Sequence, residues 1–235
     1  MRSTPRRAVT ALLAAALGAA GLVTAAVPAS AAPVAAAAAP CSVTTGGPAR
    51  VSIDRAEQLV PVTLRTTCVG LTYANVYVVD PRGDDIDVAE WDPATDGAVY
   101  PLAIFGDDLP GTYRTEELFV EPESTEVTAT YGRTVAKFGS KAGLTAARSG
   151  SSVTLTACAS YYNGRRDAFV PWSAHKVTLQ KLGADGRTWE FVRTVGTNAR
   201  GCAVHTVQSA AAGTYRATTY ETYQIFSRTS PSVRA

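Results

Sequence analysis

Gly111-Thr112-Tyr113-Arg114 recurs as Gly213-Thr214-Tyr215-Arg216, and each copy opens a run of β-branched and aromatic residues. Upstream of each copy lies a strand-like run that ends in cysteine, Val62-Thr63-Leu64-Arg65-Thr66-Thr67-Cys68 and Val153-Thr154-Leu155-Thr156-Ala157-Cys158. Two landmarks in the same order mark an internal repeat, which bears on architecture before any local pattern does. The chain beyond its leader is therefore read as two copies of one β-domain, residues 41–131 and residues 132–235.

Short runs of β-formers fill both copies. In the first they are Val51 to Ile53, Val60 to Cys68, Tyr73 to Val79, Ile86 to Trp91, Val99 to Phe105, Tyr113 to Val120 and Glu126 to Tyr131. In the second they are Leu144 to Ala147, Val153 to Ala159, His175 to Leu182, Thr188 to Val195, Cys202 to Gln208, Thr214 to Glu221 and Gln224 to Val233. Pro81-Arg82-Gly83, Asp96-Gly97 and Pro110-Gly111 punctuate them as turns, and Asp185-Gly186 is a hairpin signal, because glycine there supplies positive φ without strain. No stretch beyond the leader sustains helical periodicity, so the fold class is all-β. The alternation of Val153, Leu155 and Ala157 against Thr154 and Thr156 suits a strand with one face in the core of a two-sheet sandwich.

Asp108-Leu109-Pro110-Gly111-Thr112-Tyr113 resembles the tyrosine corner of immunoglobulin-like domains, and Trp189 to Val195, Gly201 and Gly213-Thr214-Tyr215-Arg216 resemble Ig-like modules of exported bacterial proteins. The resemblance implies two tandem Ig-like β-sandwiches in which the Tyr113 and Tyr215 hydroxyls each tie a strand to its neighbouring loop. Where antibody-type domains carry a cysteine two residues after that tyrosine, this chain has Thr115 and Ala217. Its bridges therefore lie elsewhere.

The leader, residues 1–31, reads as a signal peptide: Arg2, Arg6 and Arg7, then an apolar run from Val9 to Val27, then Ala29-Ser30-Ala31 as a cleavage pattern. Residues 32–40 read as an Ala/Pro-rich tether. The mature chain is expected outside the cytoplasm with no membrane span, and its 18 arginines against 4 lysines fit a GC-rich bacterial genome. Export makes Cys41, Cys68, Cys158 and Cys202 candidates for oxidation. Three pairings are open. Cys41 with Cys68 and Cys158 with Cys202 is preferred, since it closes the shorter loops and lets each copy fold alone. A zinc site is disfavoured, because C-x-x-C is absent and His175 and His205 sit at no ligand spacing with the cysteines.

Charge divides sharply between the copies. Residues 41–131 carry 5 arginines against 16 acidic residues, a net −11, and residues 132–235 carry 14 basic against 4 acidic, a net +10. Such asymmetry points to attraction between the domains or head-to-tail between molecules, and to anionic envelope polymers as partners of the basic copy. Asp80, Asp84, Asp85, Asp87, Glu90, Asp92 and Asp96 crowd one stretch but lack the spacing of an EF-hand, so a solvated acidic loop is preferred to calcium. The Arg82-Gly83-Asp84 tripeptide is read as a turn. Tyr161, Tyr162, Asn163, Arg165, Arg166, Phe169 and Trp172 mix aromatics, arginines and an amide in the longest irregular segment. They form the candidate binding loop, whose competing reading is that Phe169 and Trp172 plug the sandwich end.

Nothing here compels catalysis. G-x-S-x-G and H-E-x-x-H are absent, and Ser173-Ala174-His175-Lys176 leads into a strand where S-x-x-K chemistry needs a helix. No metal, cofactor or nucleic acid is expected. The sequence supports a secreted, non-catalytic binding protein directed at envelope polymers or another secreted protein. A factor that inserts a loop into a secreted hydrolase is the alternative, and a hydrolase with an unrecognised site comes third.

Overall fold

A computed structural model describes residues 40–123 and 126–235. The signal peptide and all of the tether but its last residue lie outside them. Alternation decides which face each strand buries: along Ser152–Asn163, Val153, Leu155, Ala157 and Ala159 face the core, while the residues between them are part-exposed. That period of two is what a strand covered on one side requires.

In the first copy, β1 (Cys41–Gly46), β3 (Glu57–Thr66), β6 (Val99–Phe105) and β8 (Val127–Thr130) form one sheet in the order β6-β3-β1-β8. The facing sheet runs β2-β9-β7-β4-β5, with β2 (Arg50–Ile53), β4 (Tyr73–Val79), β5 (Asp85–Trp91), β7 (Gly111–Glu121) and β9 (Arg133–Phe138). Val43, Ile53, Leu64, Val76, Trp91 and Ile104 pack between them. In the second copy β11 (Ser152–Asn163) pairs with β10 (Ser140–Ser149), β12 (Ala168–Pro171) and β15 (Cys202–Gln208). Opposite lies β14-β13-β16-β17, from β13 (Lys176–Leu182), β14 (Trp189–Gly196), β16 (Thr214–Thr219) and β17 (Val233–Arg234). Leu155, Val177, Leu179 and Tyr215 anchor that core.

The chain distributes its strands between sheets in the same succession in both copies, with β1, β3 and β6 matching β10, β11 and β15, and β4, β5 and β7 matching β13, β14 and β16. These are two tandem immunoglobulin-like sandwiches. One boundary moves from the sequence reading. Strand β9 ladders antiparallel onto β7 and parallel onto β2, so the first sandwich runs on to Phe138 and not to Tyr131. Gly132 bends the chain there, with its amide held by the Thr115 hydroxyl at 2.9 Å, and β8 and β9 join opposite sheets. The expected strand from Gln224 to Val233 is instead mostly irregular, tied by single bridges of Ile225 to Phe138 and of Thr229 to Thr218.

Each sandwich holds one disulfide, Cys41 to Cys68 and Cys158 to Cys202. Cys158 and Cys202 sit directly opposite in the β11–β15 ladder, with Cα atoms 4.0 Å apart. Cys41 and Cys68 continue the β1–β3 register, with Cα atoms 4.9 Å apart. Both bridges thus staple neighbouring strands of one sheet, and the apolar cores alone hold the two sheets together. In the chain-entropy account, loops of 27 and 44 residues give about 3.5 and 4 kcal/mol.

The two repeated tyrosines differ. The Tyr113 hydroxyl donates to the Leu109 carbonyl at 2.8 Å, and burial raises its pKa. Gly111 admits this corner, because a Cβ there would come within 2.6 Å of Pro81. Tyr215 is fully buried in the equivalent place, but its hydroxyl has no partner. The matching carbonyl, that of Ala211, instead accepts from the Arg148 guanidinium at 2.8 Å and from the Ser209 hydroxyl at 2.8 Å. Tyr113→Phe should therefore cost about 1 kcal/mol, the worth of one hydrogen bond, while Tyr215→Phe should be neutral or slightly stabilising. Chemical denaturation of both variants checks this, and equal losses would contradict it.

Candidate functional site

The candidate loop forms where β11 runs past the end of its own sandwich. Its last residues pair with β12, Tyr162 opposite Phe169, and a short 3-10 turn, Gly164–Arg166, joins the two strands. This extension meets the first sandwich. Tyr162 is 1% exposed and belongs to the core of the first sandwich, with Phe169 packed against the same cluster at 5.7 Å between ring centroids. The Tyr162 hydroxyl donates to Asp167 at 2.6 Å; burial, then this carboxylate, leave its pKa pushed up to about 12. Gly164 lies so close to the first sandwich that a Cβ on it would run into the Gly106 carbonyl.

Backbone pairing crosses the junction as well. Phe138 donates to the Gln224 carbonyl at 2.9 Å and accepts from the Phe226 amide at 3.1 Å; beside the junction, within the second sandwich, the Tyr162 amide donates to the Gly139 carbonyl at 2.8 Å. Phe138 packs against both cores. The Ser140 hydroxyl donates to the Phe226 carbonyl at 2.6 Å in a buried bond.

Of the candidate loop residues, Tyr162, Phe169 and Trp172 thus pack against other parts of the chain. Trp172 is 8% exposed, stacks on His175 at 3.4 Å and leans against Tyr161 at 5.8 Å. Burial lowers the His175 pKa. Arg165 and Arg166 remain exposed, and Tyr161 and Asn163 half-buried. Arg165, Tyr161 and Asn163 border a cleft of about 710 Å³ between the sandwiches, lined also by Asp107, Asp108, Phe138 and Trp172. Burial, with Asp107 and Asp80 nearby, raises the Asp108 pKa. With carboxylates on one wall and a guanidinium on the other, the cleft favours neither sign of ligand.

Ion pairs at the junction run against the net charges. Glu221 of the basic sandwich meets Lys137 and Arg50 of the acidic one, each at 2.7 Å, and its pKa is lowered by these bonds. With β9 counted where it pairs, residues 41–138 carry 7 basic against 16 acidic residues, a net −9, and residues 139–235 carry 12 against 4, a net +8. The junction is therefore built on aromatic burial and main-chain bonds, not on attraction between opposite bulk charges.

The remaining sequence candidates resolve into structure. Asp80 accepts from the amides of Arg82, Gly83 and Asp84 at 2.7, 3.0 and 3.0 Å. Burial alone would raise its pKa, but these three donors more than reverse that and hold it low. Asp87 accepts from the Tyr100 hydroxyl at 3.0 Å. Among the described residues no group of three or more His, Cys, Asp and Glu side chains is placed to hold a metal ion. Ser173 and Ala174 lie in a turn and Lys176 opens β13, so no helix aims that lysine at the serine. No helix among the described residues is long and apolar enough to cross a membrane.

The sequence matches no protein family and no curated protein. Solved structures with a similar course include a segment of two fibronectin type III domains from chicken tenascin, at 13% identity and a TM-score of 0.40 over 81% of this chain and 95% of that one. Others are the human OSCAR ligand-binding domain, at 14% and 0.31 over 83% and 98%, and the D0-D1 domain of intimin, at 17% and 0.26 over 82% and 96%. The immunoglobulin-like assignment rests on the strand order given above.

Removing the Tyr162 ring leaves a hole in a core that belongs to the other sandwich, so Tyr162→Ala should cost about 3 to 5 kcal/mol, the range for aromatic truncation. It should also split a single thermal transition into two. Calorimetry reads both effects. One molar salt should leave the parent's single transition in place, and two separate transitions at that salt would show a junction held by charge.

Proposed function

We propose that this is a secreted, non-catalytic binding protein whose basic second sandwich attaches it to anionic polymers of the cell envelope. One observation carries the reading. All five ion pairs among the described residues use cations of the first sandwich, Arg50, Arg55, Arg65, Arg114 and Lys137. The 12 lysines and arginines of residues 139–235 meet no Asp or Glu side chain within ion-pair distance. A protein surface ordinarily intersperses both signs, and an unscreened field of one sign draws in polymeric counter-ions.

Export is supported by the leader's composition and by two disulfides that fit an oxidising compartment. A partner-inserting loop has less support, since Tyr162 already fills the neighbouring sandwich.

Retention on a sedimented cell-wall fraction tests the reading. The protein should bind in dilute buffer and elute as salt approaches molar, where the screening length falls to about 3 Å. Failure to bind at low salt, or retention indifferent to salt, would contradict it.

A further inference from the structure

The outward face of the β14-β13-β16 sheet brings together aromatic rings, a held guanidinium and a row of hydroxyls. Three strands bring Phe191, Gln180 and Arg216 abreast in one row, and Thr194, Thr178 and Thr218 abreast in the next. Trp189 stands opposite Leu182 in the row beyond Phe191, and its ring lies 4.1 Å under the Arg216 guanidinium. Arg216 also donates from Nε to the Gln180 amide oxygen at 2.8 Å, and that neutral group is its sole hydrogen-bond partner.

The side chain is therefore held flat and in place while its terminal nitrogens stay unclaimed by any carboxylate. A guanidinium held in this way has already lost the rotamer freedom that binding would otherwise remove. Phe191 is 68% exposed on the same face, and Tyr220, bonded by the Thr178 hydroxyl at 2.8 Å, is 47% exposed. Lys176, opposite Gly196, and Arg234, opposite Thr214, add cations without a carboxylate partner one row beyond these on either side.

We propose that this sheet face is a docking platform for an acidic polysaccharide, a pyranose chain bearing carboxylates. The proposal rests on the anionic-polymer reading and sharpens it. Charge complementarity selects a polyanion. The aromatic rings select among polyanions: a pyranose presents a C–H face that stacks on indole or phenyl, whereas a polyol-phosphate chain presents none. Arg216 matches a carboxylate through parallel N–H bonds. Hydroxyls of the threonine row can exchange hydrogen bonds with ring hydroxyls one strand-step away, about 7 Å along the sheet.

The test uses the full mature chain with polygalacturonate as the acidic pyranose probe, and with polyphosphate and neutral galactan as comparison polymers. Trp189→Ala and Arg216→Gln should each weaken polygalacturonate binding about tenfold, equivalent to 1.4 kcal/mol. Trp189→Phe should recover part of the loss. Arg166→Gln and Arg200→Gln, exposed cations away from the platform, should change it less than about twofold. Unchanged melting temperatures would confirm that the platform variants fold.

If all four cation and aromatic variants behave alike, or Trp189→Ala binds as the parent does, the platform is wrong although bulk attraction to polyanions stands. Binding to polyphosphate without binding to polygalacturonate would likewise overturn the platform alone. Binding to neither, together with no retention on the wall fraction, would remove the underlying reading as well.

Discussion

The Tyr162 ring is supplied by a strand of one sandwich and buried in the core of the other, and most of the molecule's geometry follows from it. Strand β11 has to run past its own sheet to deliver the ring, which is why it is twelve residues long. The strand then needs β12 to satisfy its outer edge, and Gly106 and Gly164 must lack side chains for the two backbones to meet. Asp167 completes the arrangement from within the same loop, accepting the buried hydroxyl that the first sandwich leaves unbonded. A junction of this kind couples two cores directly and leaves little for a flexible linker to do.

That coupling explains how two domains of opposite net charge coexist without depending on their charge. Exposed ion pairs are worth between about 0 and 1 kcal/mol and weaken with salt. Burial of one aromatic ring outweighs several of them. Glu221 with Lys137 and Arg50 therefore trims the orientation, and it does so with signs reversed from those of the two domains. The cations of the second sandwich are left without Asp or Glu partners. Their field faces solvent, and the Trp189–Arg216 stack gives it one organised patch.

Strand positions were legible because the information is local. Tyr73–Val79, Val99–Phe105 and Cys202–Gln208 follow directly from runs of β-formers between turn residues. Cysteine pairing was legible through loop closure. Partner choice was not: nothing in Arg133–Phe138 says that it completes the first sandwich, because its pairing with β7 and β2 is settled by which sheet edge the kink at Gly132 reaches. Tyr162 also read as a loop aromatic suited to a ligand, and only the neighbouring core shows that its ligand is the protein itself. The unlike fates of Tyr113 and Tyr215 turned on Arg148, far away in the chain, which occupies the Ala211 carbonyl. A repeated motif predicts repeated burial, but a hydrogen bond depends on what else competes for its acceptor.

Amide hydrogen exchange at the junction tests most directly whether the two sandwiches share one cooperative structure. The amides of Phe138, Tyr162 and Phe226 each donate across or beside the junction to a carbonyl between 2.8 and 3.1 Å away. If the ring-in-core junction holds, these three should exchange as slowly as core amides such as those of Leu64 and Leu155, opening only with global unfolding. Exchange at loop-like rates, with both cores still protected, would mean that the sandwiches move independently and that Tyr162 does not bind them together.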